Sequence, residues 1–424
     1  MLENEFSMLE SNTFLPKVTE KGSGCPEKLS TQGWNILLED VSFPIAVINE
    51  EALRKNAHWM QTFCELAGVK LAPHGKTTMM PALFKLQLAQ GAWGISLATV
   101  PQVVNAYRHG INRIMLANQL VGRYHFKLVA DLLAQGEIDF YCFVDSVDNI
   151  HSLGQYFDQR NISLNVLIEI GVDSGRCGWR DTNAVNQLVD AIAQYESLQL
   201  TGVSFYEGVI HGSDALAEIE TFVLNVSRLT NQLARNRQFS GHEVVITGAG
   251  SAWYDVVAKQ LIANLDESIN YTAIIRPGCY LVHDTGIYQQ AQQAVLSRSQ
   301  LACDISGELI SSLELWAYVH STPEPGLAII GLGKRDVAFD AGLPIPKCIY
   351  QPGNALPTAV NQQWQITQIM DQHCMLRIPQ NATLKPGDLI CFSSSHPCLT
   401  LDKWRQVGIV DENYVIRQTI ETYF

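Results

Sequence analysis

From residue 69 onward the chain alternates between short apolar runs and longer stretches in which apolar positions recur at helical spacing. The runs fall at 69–72, 93–97, 113–117, 140–144, 165–170, 200–205, 243–246 and 273–275, with helical patterns between them at 101–108, 127–135, 182–195 and 215–236. Short apolar runs bounded by turn residues read as buried strands. Eight strand–helix units in this length predict an α/β fold, a (β/α)8 TIM barrel. Small or polar residues follow each run directly: Lys76, Thr99, Asn118, Asp145, Asp173 with Arg176, Tyr206, Gly248 to Ser251, and Arg276 to Gly278. A barrel gathers them on one rim, whereas a doubly wound open sheet, the alternative, would divide them into two rows.

The flanks read differently. Residues 43–48 form a strand-like run, and 51–67 an amphipathic helix with Leu53, Ala57, Met60, Phe63 and Cys64 on its apolar side. Residues 31–40 are expected as a short helix and lead-in. After about residue 285 helical periodicity fades, and runs at 313–319, 327–330, 364–369, 374–378, 389–393 and 414–419 are punctuated by Pro and Gly. They predict a second, all-β domain. The expected organisation is an N-terminal segment over 1–44 partly packed on the β domain, the barrel over 45–284, and the β domain over 285–424.

Composition narrows the function. A chain of 424 residues with 47% hydrophobic and 17% charged residues belongs with compact folded proteins. Its formal net charge of −13 argues against nucleic acid or an anionic membrane as a partner. The acidic N-terminus is not a signal peptide, and no apolar run is long enough to span a bilayer. Ten scattered cysteines with no CxxC pair suggest reduced thiols in the cytoplasm.

Candidate chemistry clusters at the strand ends. Lys76 lies just past the first run, where Pro73 and Gly75 turn the chain; a desolvated lysine amine there can form a Schiff base, although a plain loop lysine would look the same. His74 flanks it and either contacts a ligand or shapes the turn. Gly248, Gly250 and Ser251 follow the seventh run, and Arg276, Gly278 and Cys279 the eighth, the places where barrels commonly bind phosphate. Arg176 stands among glycines after the fifth run; it could hold an anionic oxygen or pair with Asp173. His396 and Cys398 share one face of an extended chain, half of a tetrahedral zinc shell.

Together these residues resemble a known family. Pro73-His-Gly-Lys-Thr77, Trp93-Gly-Ile-Ser-Leu-Ala-Thr99, Asp173-Ser-Gly-Arg-Cys-Gly178, Tyr206-Glu-Gly208, Thr247-Gly-Ala-Gly-Ser251, Arg276-Pro-Gly-Cys-Tyr280, Asp340-Ala-Gly342, Lys385-Pro-Gly-Asp388 and His396-Pro-Cys398 look like the motifs of fold-type III pyridoxal-phosphate enzymes. The resemblance is to the D-serine dehydratase and D-threonine aldolase group, in particular its bacterial D-serine deaminase-like branch. It implies an alanine racemase-like barrel with Lys76 holding pyridoxal 5'-phosphate. Ser251, Gly248 and Gly250 match the phosphate loop, with amides from Gly278 and Cys279. Arg176 would lie near the cofactor's phenolic oxygen, and Tyr206 or Arg276 near its pyridine ring. His396 and Cys398 match a Zn2+ pair. Aldolases of the group typically carry Asp where this chain has Cys398, and a thiolate favours zinc. The implied activity is dehydration of D-serine or a related 3-hydroxy-D-amino acid to a keto acid and ammonia. A D-threonine-type retro-aldolase, an amino-acid racemase and a non-catalytic cofactor carrier are the alternatives. A head-to-tail homodimer is also implied, each β domain closing its partner's site. Gly75 and the loop over 331–340 depart from the family pattern.

Overall fold

The computed structural model describes residues 20–424; the earlier part of the N-terminal segment lies outside the described residues. All eight expected barrel strands are present, as Lys70–Leu71, Ile95–Leu97, Arg113–Gln119, Asp139–Val144, Leu164–Ile170, Leu198–Phe205, Val244–Gly248 and Tyr271–Ile275. They form one parallel sheet in which each strand from the second onward pairs with the next and the last pairs with the first, Ile274 beside Lys70 and Ile275 beside Leu71. The ring closes between the first and second strands through Trp93 N–H to Leu71 O (2.7 Å) and Ser96 N–H to Pro73 O (3.0 Å). The first strand is short because Pro73 has no N–H to donate and the chain turns at Gly75.

These strands are legible as continuous apolar runs because both of their faces are buried. Along the fifth strand Leu167 points into the barrel with Ala72, Met115, Phe143, Val245 and Ile274, while Val166 and Ile168 join the larger core outside it. Successive side chains alternate between the two cores.

The β domain is an eleven-stranded mixed sheet, and its composition corrects the expected boundary. Ile45–Asn49, expected at the start of the barrel segment, runs antiparallel to Leu313–Glu324 and parallel to Gln406–Val410 inside this sheet. A fully apolar run does not say which sheet will bury it. Among the described residues the chain therefore starts in the β domain, passes into the barrel through the helix Glu50–Ala67, and later returns. Asn49 caps that helix by accepting the Ala52 N–H at 3.0 Å. Asn56 within it is fully buried and makes three bonds: its amide donates to Leu281 O (3.0 Å) and Ile310 O (2.7 Å) and accepts from Ile310 N–H (2.9 Å). One side chain thus ties the exit of the barrel to the entrance of the β domain.

Two further expectations are corrected. The helix lies at Pro26–Thr31, not over 31–40; Gly33 then turns at φ 79°, and Trp34–Asn35 pairs with Val415–Glu421 at the sheet edge. After residue 285 the chain is still helical, at Ile287–Arg298 and Gln300–Asp304, before the β strands begin at Leu313. The first of these is Gln-rich and buries only Gln292 and Val295, so it shows no apolar stripe. A short helix, Pro397–Leu401, also interrupts the β domain. Among the described residues no helix is long and apolar enough to cross a membrane.

Asn56→Leu removes all three bonds, leaving the Ile310 N–H and C=O without their side-chain partner and Leu281 O with only the Ser312 hydroxyl at 3.4 Å. Urea unfolding should show a loss of about 3 kcal/mol of stability; a loss below about 1 kcal/mol would mean that water or a local shift replaces the clamp.

Candidate active site

The carboxyl ends of the barrel strands face the β domain across a cleft of about 560 Å³, counting its open mouth. Lys76 stands in the 3-10 turn Gly75–Thr77, which follows from the strand-breaking Pro73, and Gly75 leaves room where a Cβ would lie 2.7 Å from the Phe84 ring and 2.9 Å from Leu97. The Lys76 side chain is exposed to the cleft. His74, just before it, also lines the cleft, and its Nδ1 is buried with no hydrogen-bond partner. Burial, then the cations Lys76, Arg276 and Arg176, push the imidazole well below its ordinary range, so His74 is neutral.

One end of the cleft is a cradle for an anion. The Ser251 hydroxyl accepts the Gly278 and Cys279 amides, both at 3.3 Å, so one hydroxyl and two N–H groups converge there. A Cβ on Gly278 would lie 2.6 Å from His74 O and 2.8 Å from Thr77 Oγ1, which explains the glycine. Gly250 lines the cleft, but its amide does not point into it. Glu207, fully buried, accepts Ala249 N–H (3.0 Å) and Gly250 N–H (2.8 Å) and clamps the loop from behind. Ala249 is held at φ 67°, a conformation that costs an L residue on the order of 1 kcal/mol. Gly248 lies a layer deeper, where a Cβ would run into the Phe205 ring. Burial raises the Glu207 pKa, opposed by the two loop amides and Arg276.

The floor is cationic. Arg276 is buried and spends its donors on the barrel: Nη1 on Thr247 Oγ1 (2.7 Å) and Ser204 Oγ (3.3 Å), Nη2 on Phe205 O (2.9 Å). Burial lowers its pKa to about 10, with Glu169 and Glu207 opposing. Arg176 makes no ion pair with Asp173; its guanidinium lies 4.2 Å over the ring of Tyr206 at the cleft wall.

The β domain supplies the other end. Cys398 lines the cleft, its Sγ 3.5 Å from Thr77 Oγ1 and 3.6 Å from Cys279 Sγ. His396 sits behind it, at the N-cap of Pro397–Leu401, with Nδ1 held by Asp340 Oδ2 at 2.7 Å. That bond orients the ring, an arrangement common behind metal-bound histidines. A hydrogen bond to Cys398 raises His396 to about 9, and contacts from Cys279, His396 and Thr77 pull the Cys398 thiol down against burial. A charged imidazole beside a thiolate is a donor pair that a zinc ion can take over by displacing a proton.

The residues present therefore fit pyridoxal 5'-phosphate: an amine at Lys76, a hydroxyl with two amides for its phosphate, and a neutral imidazole with an unpartnered nitrogen along its flank. They also fit zinc at His396 and Cys398. Glu207 and Asp340 did not stand out in the sequence as site residues, although both fall within quoted motifs. Tyr288, which also lines the cleft, lies on the helix the apolar pattern did not show. Elsewhere on the rim, Asp145, Glu169 and Cys177 place ligand atoms within 4.8 Å of one another. Glu169 there accepts from Gln119 and Asp145 from the Gly178 amide.

Comparison with known proteins agrees with this fold. The family model "Alanine racemase, N-terminal domain" matches residues 48–257, and "Putative serine dehydratase domain" matches 312–410. A D-threonine aldolase from Arthrobacter sp is 25% identical over 337 residues, 78% of this chain and 81% of its own length. The crystal structure of D-threonine aldolase from Filomicrobium marinum superposes with a TM-score of 0.76 at 20% identity, covering 92% of this chain and 97% of that one. D-threo-3-hydroxyaspartate dehydratase from Delftia sp. HT23 superposes with a TM-score of 0.71 at 19% identity, covering 92% and 99%. Structures of a D-threo-3-hydroxyaspartate dehydratase also include a histidine-to-alanine variant and a cysteine-to-alanine variant in the metal-free form.

Glu207→Gln keeps the shape but turns an amide N–H2 toward one of the two loop N–H groups. Retention of pyridoxal phosphate, read by absorbance after gel filtration, should weaken about tenfold to a hundredfold; unchanged retention would remove Glu207 from the cradle.

Proposed function

With an alanine racemase-type barrel and a serine dehydratase-type β domain, the chain belongs to the fold-type III pyridoxal-phosphate family, and we propose that it is a dehydratase (deaminase) that converts D-serine or a related 3-hydroxy-D-amino acid to a keto acid and ammonia. The observation that carries this reading is Cys398 at the cleft wall, 3.5 Å from the hydroxyl of Thr77, the neighbour of Lys76. A thiolate–imidazole pair selects a soft, strongly Lewis-acidic ion in contact with the same ligand that the lysine serves. The relatives support a lyase of this group. In the D-threo-3-hydroxyaspartate dehydratase the two substituted residues, a histidine and a cysteine, stand two positions apart, as His396 and Cys398 do here.

When bound, pyridoxal phosphate supplies an electron sink for negative charge at Cα. Zinc held by His396 and Cys398 would supply a Lewis acid at the substrate's β-hydroxyl. The chain's own residues do the rest. Ser251 and the Gly278 and Cys279 amides would anchor the phosphate, and Glu207 holds the Ala249 and Gly250 amides beside Ser251. Lys76 would hold the cofactor through Nζ, and its amine stands where a general base for the Cα proton is needed. Arg276 and Arg176 keep the cleft positive for an anionic cofactor, and Asp340 fixes the His396 ring. A head-to-tail homodimer belongs to the same reading; because this chain's own β domain supplies Cys398, a partner subunit's share would be confined to the mouth of the cleft. Ten unbonded cysteines suit a reducing, cytoplasmic setting.

The aldolase reading is favoured by the D-threonine aldolase and 3-hydroxy-D-aspartate aldolase names among the relatives. Product analysis separates the readings. Cofactor-loaded protein given D-serine, D-threonine or 3-hydroxy-D-aspartate should release a keto acid and ammonia. Glycine with an aldehyde would make it an aldolase, the L-isomer a racemase, and no product a carrier.

Two variants extend the test. Lys76→Ala should abolish turnover and leave no cofactor that borohydride can fix to the chain; a fixed cofactor in that variant would place the covalent link elsewhere. Chelation should stop keto-acid release while the cofactor stays bound, since Lys76 and the phosphate cradle share no ligand with His396; full activity without metal would contradict the zinc assignment.

A further inference from the structure

We propose that Cys279 of the barrel and Cys398 of the β domain form a reversible disulfide that bridges the two domains and shuts the site off. The pairing rests on geometry; its effect on turnover rests on the metal reading above. The two sulfurs lie 3.6 Å apart and unbonded, in van der Waals contact. A disulfide bond is about 2.05 Å long, so an approach of about 1.5 Å joins them. The Thr77 hydroxyl touches both sulfurs, at 3.6 Å from Cys279 and 3.5 Å from Cys398.

The two thiols differ in access, and the difference sets the order of events. Cys398 lines the cleft and is half-buried, so a small oxidant reaches it from solvent. Cys279 is 3% exposed, so an oxidised Cys398 is nearer to it than a second molecule of oxidant. With hydrogen peroxide, the Cys398 sulfur bonds to one peroxide oxygen as the O–O bond breaks and hydroxide leaves, giving a sulfenic acid. The Cys279 sulfur then attacks the Cys398 sulfur, the S–O bond breaks, and the oxygen leaves as water with the Cys279 proton. Two thiols lose two electrons and two protons, and one peroxide becomes two waters. Cys398 in a disulfide no longer has the thiolate that binds metal, so the bridge removes half of the His396–Cys398 pair. Thiol exchange restores it, as suits a transient disulfide in a reducing compartment. A second pair gives an internal comparison. Cys348 and Cys391 are Cα partners on neighbouring strands of the β domain, and neither lines the cleft. A bond there would stay within one domain and leave the site untouched.

The test treats the full chain, loaded with pyridoxal phosphate and zinc, with stoichiometric hydrogen peroxide. Free thiols are then alkylated and the bridges mapped by tandem mass spectrometry. A Cys279–Cys398 bridge should appear, zinc and keto-acid release should fall in proportion to it, and dithiothreitol with added zinc should restore activity. Cys279 still open to alkylation when the exposed Cys25, Cys177 and Cys303 are already oxidised would overturn the pairing. A bridged chain with full turnover would overturn the switch. A bridge that forms in a chain holding no stoichiometric metal when reduced would support the pairing and sink the metal reading alone. Under excess peroxide, Cys279→Ser should carry Cys398 as sulfinic acid, which dithiothreitol does not reverse. Recovery as full as that of the wild type, each measured against its own untreated rate, would contradict Cys279 as the partner. If Cys279→Ser does not fold, the bridge map of the wild type still decides.

Discussion

The cleft depends on the meeting of Thr77 and Cys398, a hydroxyl and a sulfur 3.5 Å apart that belong to different domains. The barrel places Thr77 at the end of its first strand, beside Lys76, and the β domain places Cys398 on a short helix opposite. The path of the chain fixes the relation between the domains. Ile45–Asn49 is built into the β sheet and the helix after it packs on the barrel, so the chain crosses the boundary before the barrel and again before Leu313. Asn56 bonds the two crossings to each other.

Charge within the cleft runs against that of the whole chain. The protein carries a formal net charge of −13, yet Lys76, Arg176 and Arg276 surround the space between the strand ends. Burying Arg276 is made tolerable by three hydrogen bonds and by Glu169 and Glu207 nearby. A neutral His74 adds a polar group to the wall without adding charge. Such a space suits an anionic, planar cofactor.

How far the sequence reveals this arrangement depends on how each residue is buried. The eight barrel strands are visible because residues such as Val166 and Leu167 are buried on opposite faces, which leaves an unbroken apolar run. Lys76, Ser251, Arg276 and Cys398 are visible because reactive residue types stand at strand ends among glycines and prolines. The strand Ile45–Asn49 is visible but not its sheet, since pairing partners some 270 residues away are set by tertiary packing. The helix bearing Tyr288 is hidden because glutamines cover it where an apolar stripe would mark it. Glu207 and Asp340 are hidden for another reason: each acts on a backbone or a ring supplied by a distant segment, and nothing in a lone carboxylate announces that partner.

The claim that the lysine and the metal pair serve one ligand is tested most directly by anomalous diffraction. Crystals of the cofactor-loaded protein grown with zinc should show, in data spanning the zinc edge, a peak bonded to His396 and Cys398 in the same cleft as the cofactor on Lys76. A peak at Asp145, Glu169 and Cys177 instead, or none in a cleft that holds the cofactor, would contradict the account.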